Sequence, residues 1–184
     1  LENDAGTASL RLALFHATKT NERNRDEESV NASNYILSGQ RHAAGLEVDI
    51  AGRITPQWEV FASYAWIPSA KVDSAGVVSG TTLQGERVGS RPGLTPRHSG
   101  TVWSTYKFDG RLRVGGGINA RSRDTPQLST ILAPSFVTAD LMAEVDHGPV
   151  LFKLNLTNVT NKLYADQLYR GHYVLGKPRT VQLT

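Results

Sequence analysis

The sequence holds no cysteine and a single methionine in 184 residues. Without thiols there is no disulfide framework and no thiolate metal site. Long hydrophobic runs are also missing. No apolar stretch approaches the roughly 20 residues that a membrane-spanning helix requires, so a helical membrane protein is excluded. Charge of one sign is scarce: 20 Lys+Arg stand against 17 Asp+Glu, giving a formal net charge of +3. The two signs interleave along the chain, and no basic patch argues for nucleic acid. No signal peptide begins at Leu1, so the chain is expected to be cytosolic, already processed, or cut from a longer parent. What is present is a spread of three Trp, six Tyr and five Phe, which argues against disorder. The length suits one domain or a piece of a larger one.

The dominant pattern is strict alternation, the period of a half-buried strand. Leu10, Leu12 and Leu14 alternate with Ser9, Arg11 and Ala13, and Leu46, Val48 and Ile50 oppose Glu47 and Asp49. Leu112, Val114, Ile118 and Ala120 oppose Arg111, Arg113, Asn119 and Arg121. Val137, Ala139, Leu141, Ala143 and Val145 oppose Thr138, Asp140, Glu144 and Asp146, and Phe152, Leu154 and Leu156 oppose Lys153, Asn155 and Thr157. Strands are expected at about 8–21, 34–53, 58–72, 95–108, 111–123, 134–147, 150–160 and 178–184. Several exceed the usual ~5–6 residues and reach the ~9–11 that a tilted membrane strand needs.

The connections alternate in length. Ile54–Gln57, Asp109-Gly110 and Gly148-Pro149 read as short turns, and Asp-Gly is a strong hairpin signal. The links Glu22–Ser33, Asp73–Leu94, Asp124–Ala133 and Asn161–Lys177 are long and polar. Short turns at one end and long loops at the other are the pattern of outer-membrane barrels. Charged residues of the polar face cannot meet lipid, where Arg near the midplane costs roughly 2–4 kcal/mol. They are expected to line a wet lumen and to pair across strands. Trp58, Tyr64, Trp66, Tyr106, Phe108 and Phe136 lie near strand ends and are expected in interfacial girdles. A soluble sandwich with the apolar face as its core is the plain alternative.

Other constellations carry little. His16, His42, His98, His147 and His172 show no metal-ligand spacing. Asp140, Glu144 and Asp146 share a face and are better read as partners of Arg than as catalytic carboxylates. Gly115-Gly116-Gly117 lies within a strand without a phosphate-loop ending, and permits a bend or a close approach. No nucleophile–base arrangement can be assembled, so an enzyme is not expected.

At the C-terminal stretch the residues become more specific. Leu154-Asn155-Leu156-Thr157-Asn158-Val159-Thr160-Asn161-Lys162-Leu163-Tyr164 resembles the penultimate-strand motif of TonB-dependent outer-membrane receptors. Gly176-Lys177-Pro178-Arg179-Thr180-Val181-Gln182-Leu183-Thr184 is similar to the start of their last strand. Gly45-Leu46-Glu47-Val48-Asp49 followed by Gly52-Arg53-Ile54-Thr55-Pro56 and Trp58 matches a hairpin common to siderophore receptors. Leu94-Thr95-Pro96-Arg97-His98-Ser99-Gly100 with Trp103 and Tyr106 is similar to the catecholate-type receptors.

The resemblance implies an all-β fold, an antiparallel up-and-down transmembrane β-barrel. Residues 1–184 would form about eight C-terminal strands of a barrel of about 22. The plug domain and the N-terminal strands would be absent, and the terminal aromatic residue of such last strands is missing after Thr184. It implies an outer-membrane receptor of a Gram-negative bacterium that takes up a ferric siderophore and is energised by the TonB complex through the plug. Outer-membrane lipid would be a further partner, nucleic acid none. No cofactor is implied, since the iron travels with the siderophore. An anionic, flat-ringed ferric catecholate favours Arg and aromatic side chains. The loop candidates for contact are Arg87, Arg91, Arg121, Arg123, Tyr164, Tyr169, Arg170, His172 and Tyr173. The alternative is a complete eight-stranded outer-membrane barrel with a structural or adhesion role.

Overall fold

The computed structural model describes residues 7–25, 35–74, 88–108, 110–126, 131–169 and 172–184. Its strands are β1 (Ala8–Arg25), β2 (Tyr35–Arg53), β3 (Trp58–Ser74), β4 (His98–Phe108), β5 (Leu112–Arg121), β6 (Phe136–His147), β7 (Val150–Thr157), β8 (Ala165–Tyr169), β9 (His172–Leu175) and β10 (Thr180–Leu183). Eight of them form one antiparallel sheet in the order β1-β2-β3-β4-β5-β6-β7-β10. Each strand therefore lies beside its neighbour in the chain, apart from the β8–β9 hairpin, which stands outside the sheet. That up-and-down order is the expected one. The hairpin is a departure, since the sequence of 161–177 reads as one long polar link. The first strand also runs on past residue 21 to Arg25, across a bulge at left-handed Asn21.

Register shows why these residues form this sheet. Leu10, Ile50, Ala62, Val102, Ile118 and Ala139 stand in one row across six strands, all apolar. One residue along each strand, Arg11, Asp49, Ser63, Thr101, Asn119 and Thr138 form the next row, facing the other way and all polar. A slip by one residue would exchange the two faces in full. Two of the three short links turn on glycines with positive φ, Gly110 at 73° and Gly148 at 65°.

The buried apolar residues among those described are few: Val72, Ala133, Met142 and Ala165, with Pro92 and Pro126 in the connections. The sheet is a single layer, and its apolar face stays open: Leu14 is 81% exposed and Leu12 66%. A soluble sandwich would cover that face with a second sheet, and none is present among the described residues. An open apolar face of this extent marks a surface that meets a partner or a membrane.

The apolar band has two edges. Trp58 and Tyr106 pair near the short turns, and Trp66 and His98 pair near the loops. The eight residue steps from Trp58 to Trp66 span about 26 Å along β3. At a tilt of roughly 40° that is about 20 Å across, near the apolar height of a membrane barrel. Beyond Trp66 a bulge at Ile67-Pro68 of β3, opposite Gly45, shifts the β2–β3 register. A Cβ at Gly45 would strike the Trp66 carbonyl oxygen, so only glycine fits the approach. Past the bulge the outer face turns polar: His42 bonds Asp73 at 2.7 Å and stacks on His16.

Two expectations about faces are corrected. Phe136 pairs with Arg121 and stands on the polar face, not in the girdle. The expected ladder of β5 arginines with β6 carboxylates also does not form among the described residues. Arg113 faces Glu144 in register, but the carboxylate lies 4.0 Å from Lys153. Asp140 accepts the Asn158 backbone N–H at 2.7 Å and Asn119 Nδ2 at 3.2 Å. Gly117 faces Trp103, and a Cβ there would enter the indole ring. The glycine run thus admits a side chain from the adjacent strand, one of the two uses the sequence allowed.

Candidate functional site

The described parts of the long connections and the β8–β9 hairpin lie at one end of the sheet, opposite the short turns. Arg121 ends β5 on the polar face. Its Nη1 donates to the Asp166 carbonyl at 3.0 Å and its Nη2 to the Ala165 carbonyl at 2.5 Å, both at the base of β8. The guanidinium also lies 5.1 Å from the Phe136 ring centroid, a cation–π contact. Phe136 in turn packs on Tyr164, with ring centroids 4.5 Å apart. Burial raises the Tyr164 hydroxyl pKa, and the charges of Asp166 and Asp140 add to it, so the phenol stays a neutral donor.

Arg91 acts similarly in the β3–β4 connection. Its Nε donates to the Thr95 carbonyl at 2.7 Å, and its Nη2 donates to the Ile67 carbonyl at the end of the apolar band. Burial and nearby Arg97 lower its pKa, while Asp124 opposes them. Asp124 is itself buried in the β5–β6 connection. It forms a two-bond bridge with Ala133 at 3.0 and 2.8 Å, and its Oδ1 accepts the Thr125 N–H at 2.8 Å. Leu94 N–H donates to the Thr125 carbonyl at 3.0 Å, which ties the two connections together.

Asn158 anchors the third connection. It is 1% exposed and left-handed, with φ of 50°. Its Nδ2 donates to the carbonyls of Lys162 and Lys177 at 2.8 and 2.9 Å, and its Oδ1 accepts the Lys162 N–H at 2.8 Å. The end of β7, the turn after it and the entry to β10 are thereby fixed to one side chain.

The aromatic candidates meet on the hairpin. Tyr169 and His172 pair at its turn end and stack 5.2 Å apart, and Tyr173 follows on β9. All three are exposed, and Tyr169 Oη donates to Gln167 Oε1 at 2.6 Å. Arg123 is exposed, with no hydrogen bond or ion pair among the described residues. Arg87 and Arg170 lie outside the described residues. The structure thus joins Arg121 with Tyr164, and Tyr169 with His172 and Tyr173, while Arg91 stands in the separate Asp124 latch. Phe136, Asp124 and Asn158 were missed as site residues. The Asp-Thr-Pro turn at 124–126 and the Asn-rich stretch after Thr157 are the signals that mark the last two. Among the described residues no group of three His, Cys, Asp or Glu could hold a metal. The arrangement offers exposed aromatic faces, a neutral phenol and cationic side chains to an anionic ring-bearing ligand.

Residues 1–161 match the family model described as TonB dependent receptor-like, beta-barrel. The chain belongs to this receptor family. It is 32% identical to the Probable TonB-dependent receptor BfrD of Bordetella pertussis, over 94% of this chain and 23% of the relative. It is 27% identical to the Catecholate siderophore receptor Fiu of Escherichia coli K12, over 95% of this chain and 23% of that protein. The crystal structure of the siderophore receptor PiuA from Acinetobacter baumannii matches 96% of this chain with a TM-score of 0.83 and 26% identity, over 25% of its own length. The chain therefore spans about a quarter of the receptors it matches. Barrels of the TonB-dependent receptor family lie in the Gram-negative outer membrane. The open apolar face of this sheet is then the lipid-facing wall and the polar face the lumen, which accounts for the single layer.

Proposed function

We propose that residues 1–184 are the C-terminal part of the barrel of a receptor that takes up a ferric siderophore of catecholate type. The loop end captures the ligand, and passage is energised by TonB acting through a plug domain outside this chain. The single observation carrying this reading is the eight-strand sheet with its exposed aromatic hairpin, matched along nearly its whole length to siderophore receptors. Tyr169, His172, Tyr173 and Arg123 offer the direct contacts, together with Arg87 and Arg170. The relatives are transport receptors, and the proposed role involves no covalent chemistry. The iron is cargo held by the siderophore.

The closed eight-stranded alternative requires β1 to pair with β10. These two stand at opposite edges of the sheet, unpaired with each other. Either edge left open in lipid would expose backbone groups without partners.

The test uses the full-length receptor in a strain lacking its other siderophore receptors. Uptake of radiolabelled iron as a ferric catecholate should appear with the receptor and vanish without TonB. Uptake independent of TonB, or none with any catecholate complex, would refute the proposal.

A further inference from the structure

We propose that the lipid-facing wall carries a seat for one acylated lipid of the outer leaflet whose headgroup ends in an anionic, uncapped phosphate. The seat is a groove of about 680 Å³ at the loop-side edge of the apolar band. In register, Tyr64, Gly100, Ala120 and Val137 form one row across β3 to β6. The two central positions carry the smallest side chains, so the wall sinks between Tyr64 and Val137. Towards the short turns the groove continues over Val102 and Ile118. This slot is continuous with the lipid-facing band.

The mouth of the groove differs from its floor. At the loop end it is lined by His98, Ser122, Ser135 and Lys162, and no lining residue is acidic. An apolar slot that opens on a cation and hydroxyl groups complements an acyl chain ending in a phosphate. These groups are held in place. Ser122 Oγ accepts the His98 backbone N–H at 3.0 Å, which leaves its own hydroxyl hydrogen for another acceptor. His98 Nδ1 and Tyr64 Oη are 2.8 Å apart, which fixes the ring and leaves Nε2 for a further partner. The backbone of Lys162 is bonded on both its N–H and its carbonyl by buried Asn158, so its ammonium springs from a fixed point.

A second depression of about 640 Å³ on the same wall serves as an internal control. It is lined by Tyr106, Val114, Leu141, Ala143 and Leu156 among others, and no lining residue is charged. It offers a chain no headgroup contact. The proposed seat needs only that the wall faces lipid, and it stands or falls independently of the siderophore.

The experiment takes the full-length receptor in detergent, stripped of lipid. It is equilibrated with phosphatidic acid, or with phosphatidylcholine of the same acyl chains, and then passed through a sizing column. Retained lipid is measured by mass spectrometry. Phosphatidic acid should be retained over phosphatidylcholine, and excess inorganic phosphate should not displace it. Lys162→Gln should lower retention about tenfold, the loss of one charge-assisted contact. Ala120→Phe, which fills the slot, should abolish retention, and Ala143→Phe in the second depression should leave it unchanged. Equal retention of both lipids, displacement by phosphate alone, or wild-type retention by Lys162→Gln would each overturn the proposal. The Lys162 change lies on an exposed side chain outside the strands, so its result stands even if Ala120→Phe fails to fold.

Discussion

Asn158 shows how much one side chain can hold at the loop end. It supplies both donors and an acceptor to the backbone while sitting in a left-handed conformation that Asn tolerates better than most residues. Asn158→Ala should destabilise the full receptor by about 2–4 kcal/mol, because buried backbone groups lose their partners. Asn158→Gly should recover only the conformational part. Denaturant unfolding midpoints of the two variants separate these contributions. Asp124 makes a different prediction. Burial raises its pKa, against the N–H groups of Thr125 and Thr95 and the charges of Arg121 and Arg91. A carboxyl raised on folding binds its proton more tightly in the folded loop. Stability therefore falls as pH rises from the ordinary carboxylate range through the raised value, and levels off above it. Exchange of the Ala133 amide, corrected for intrinsic rate, should show easier opening at neutral than at mildly acid pH. Asp124→Asn should flatten that slope. Turn chemistry in the sequence marks both positions but not what they hold, because the partners are mostly backbone groups, which every residue carries.

At the scale of elements, alternation and turn chemistry made the sheet readable. All eight of its strands and the three short links follow from them, and register then assigns each face. Phe136 shows where position misleads: its place near a strand end suggested a girdle, while its parity with Asp140 puts it in the lumen. The β8–β9 hairpin escaped because Arg170-Gly171 is not among the strong two-residue turn pairs. Its attachment escaped too, since Arg121 grips carbonyls at the base of β8 rather than a side chain. Arg121 is thus a positioning residue for the aromatic tip. Arg121→Ala should weaken ferric catecholate binding about tenfold, consistent with the loss of a charge-assisted clamp. It should also speed amide exchange over 165–169. Arg121→Lys should not restore either, because an ammonium lacks the planar fork that reaches two carbonyls. Unchanged exchange alongside weakened binding would instead make Arg121 a direct contact.

For the whole molecule, the decisive property is what the sheet lacks among the described residues: a second layer, and a bond between its first and last strands. Expressed alone, these 184 residues should associate through their open edges in detergent. Light scattering after size exclusion should show a broad distribution, and a single monomeric species would contradict the open edges. The placement of three indoles has a consequence of another kind. Trp58 and Trp66 stand on the lipid-facing wall near its two edges, while Trp103 lies against Gly117 on the lumen face. The same strand pair therefore carries one fluorophore for each membrane boundary and one for the interior. Brominated acyl chains should dim the first two by leaflet, while iodide entering the pore should dim the third. In a receptor stripped of all other indoles, Trp103 would report on the lumen wall, and Trp58 and Trp66 on the two membrane boundaries.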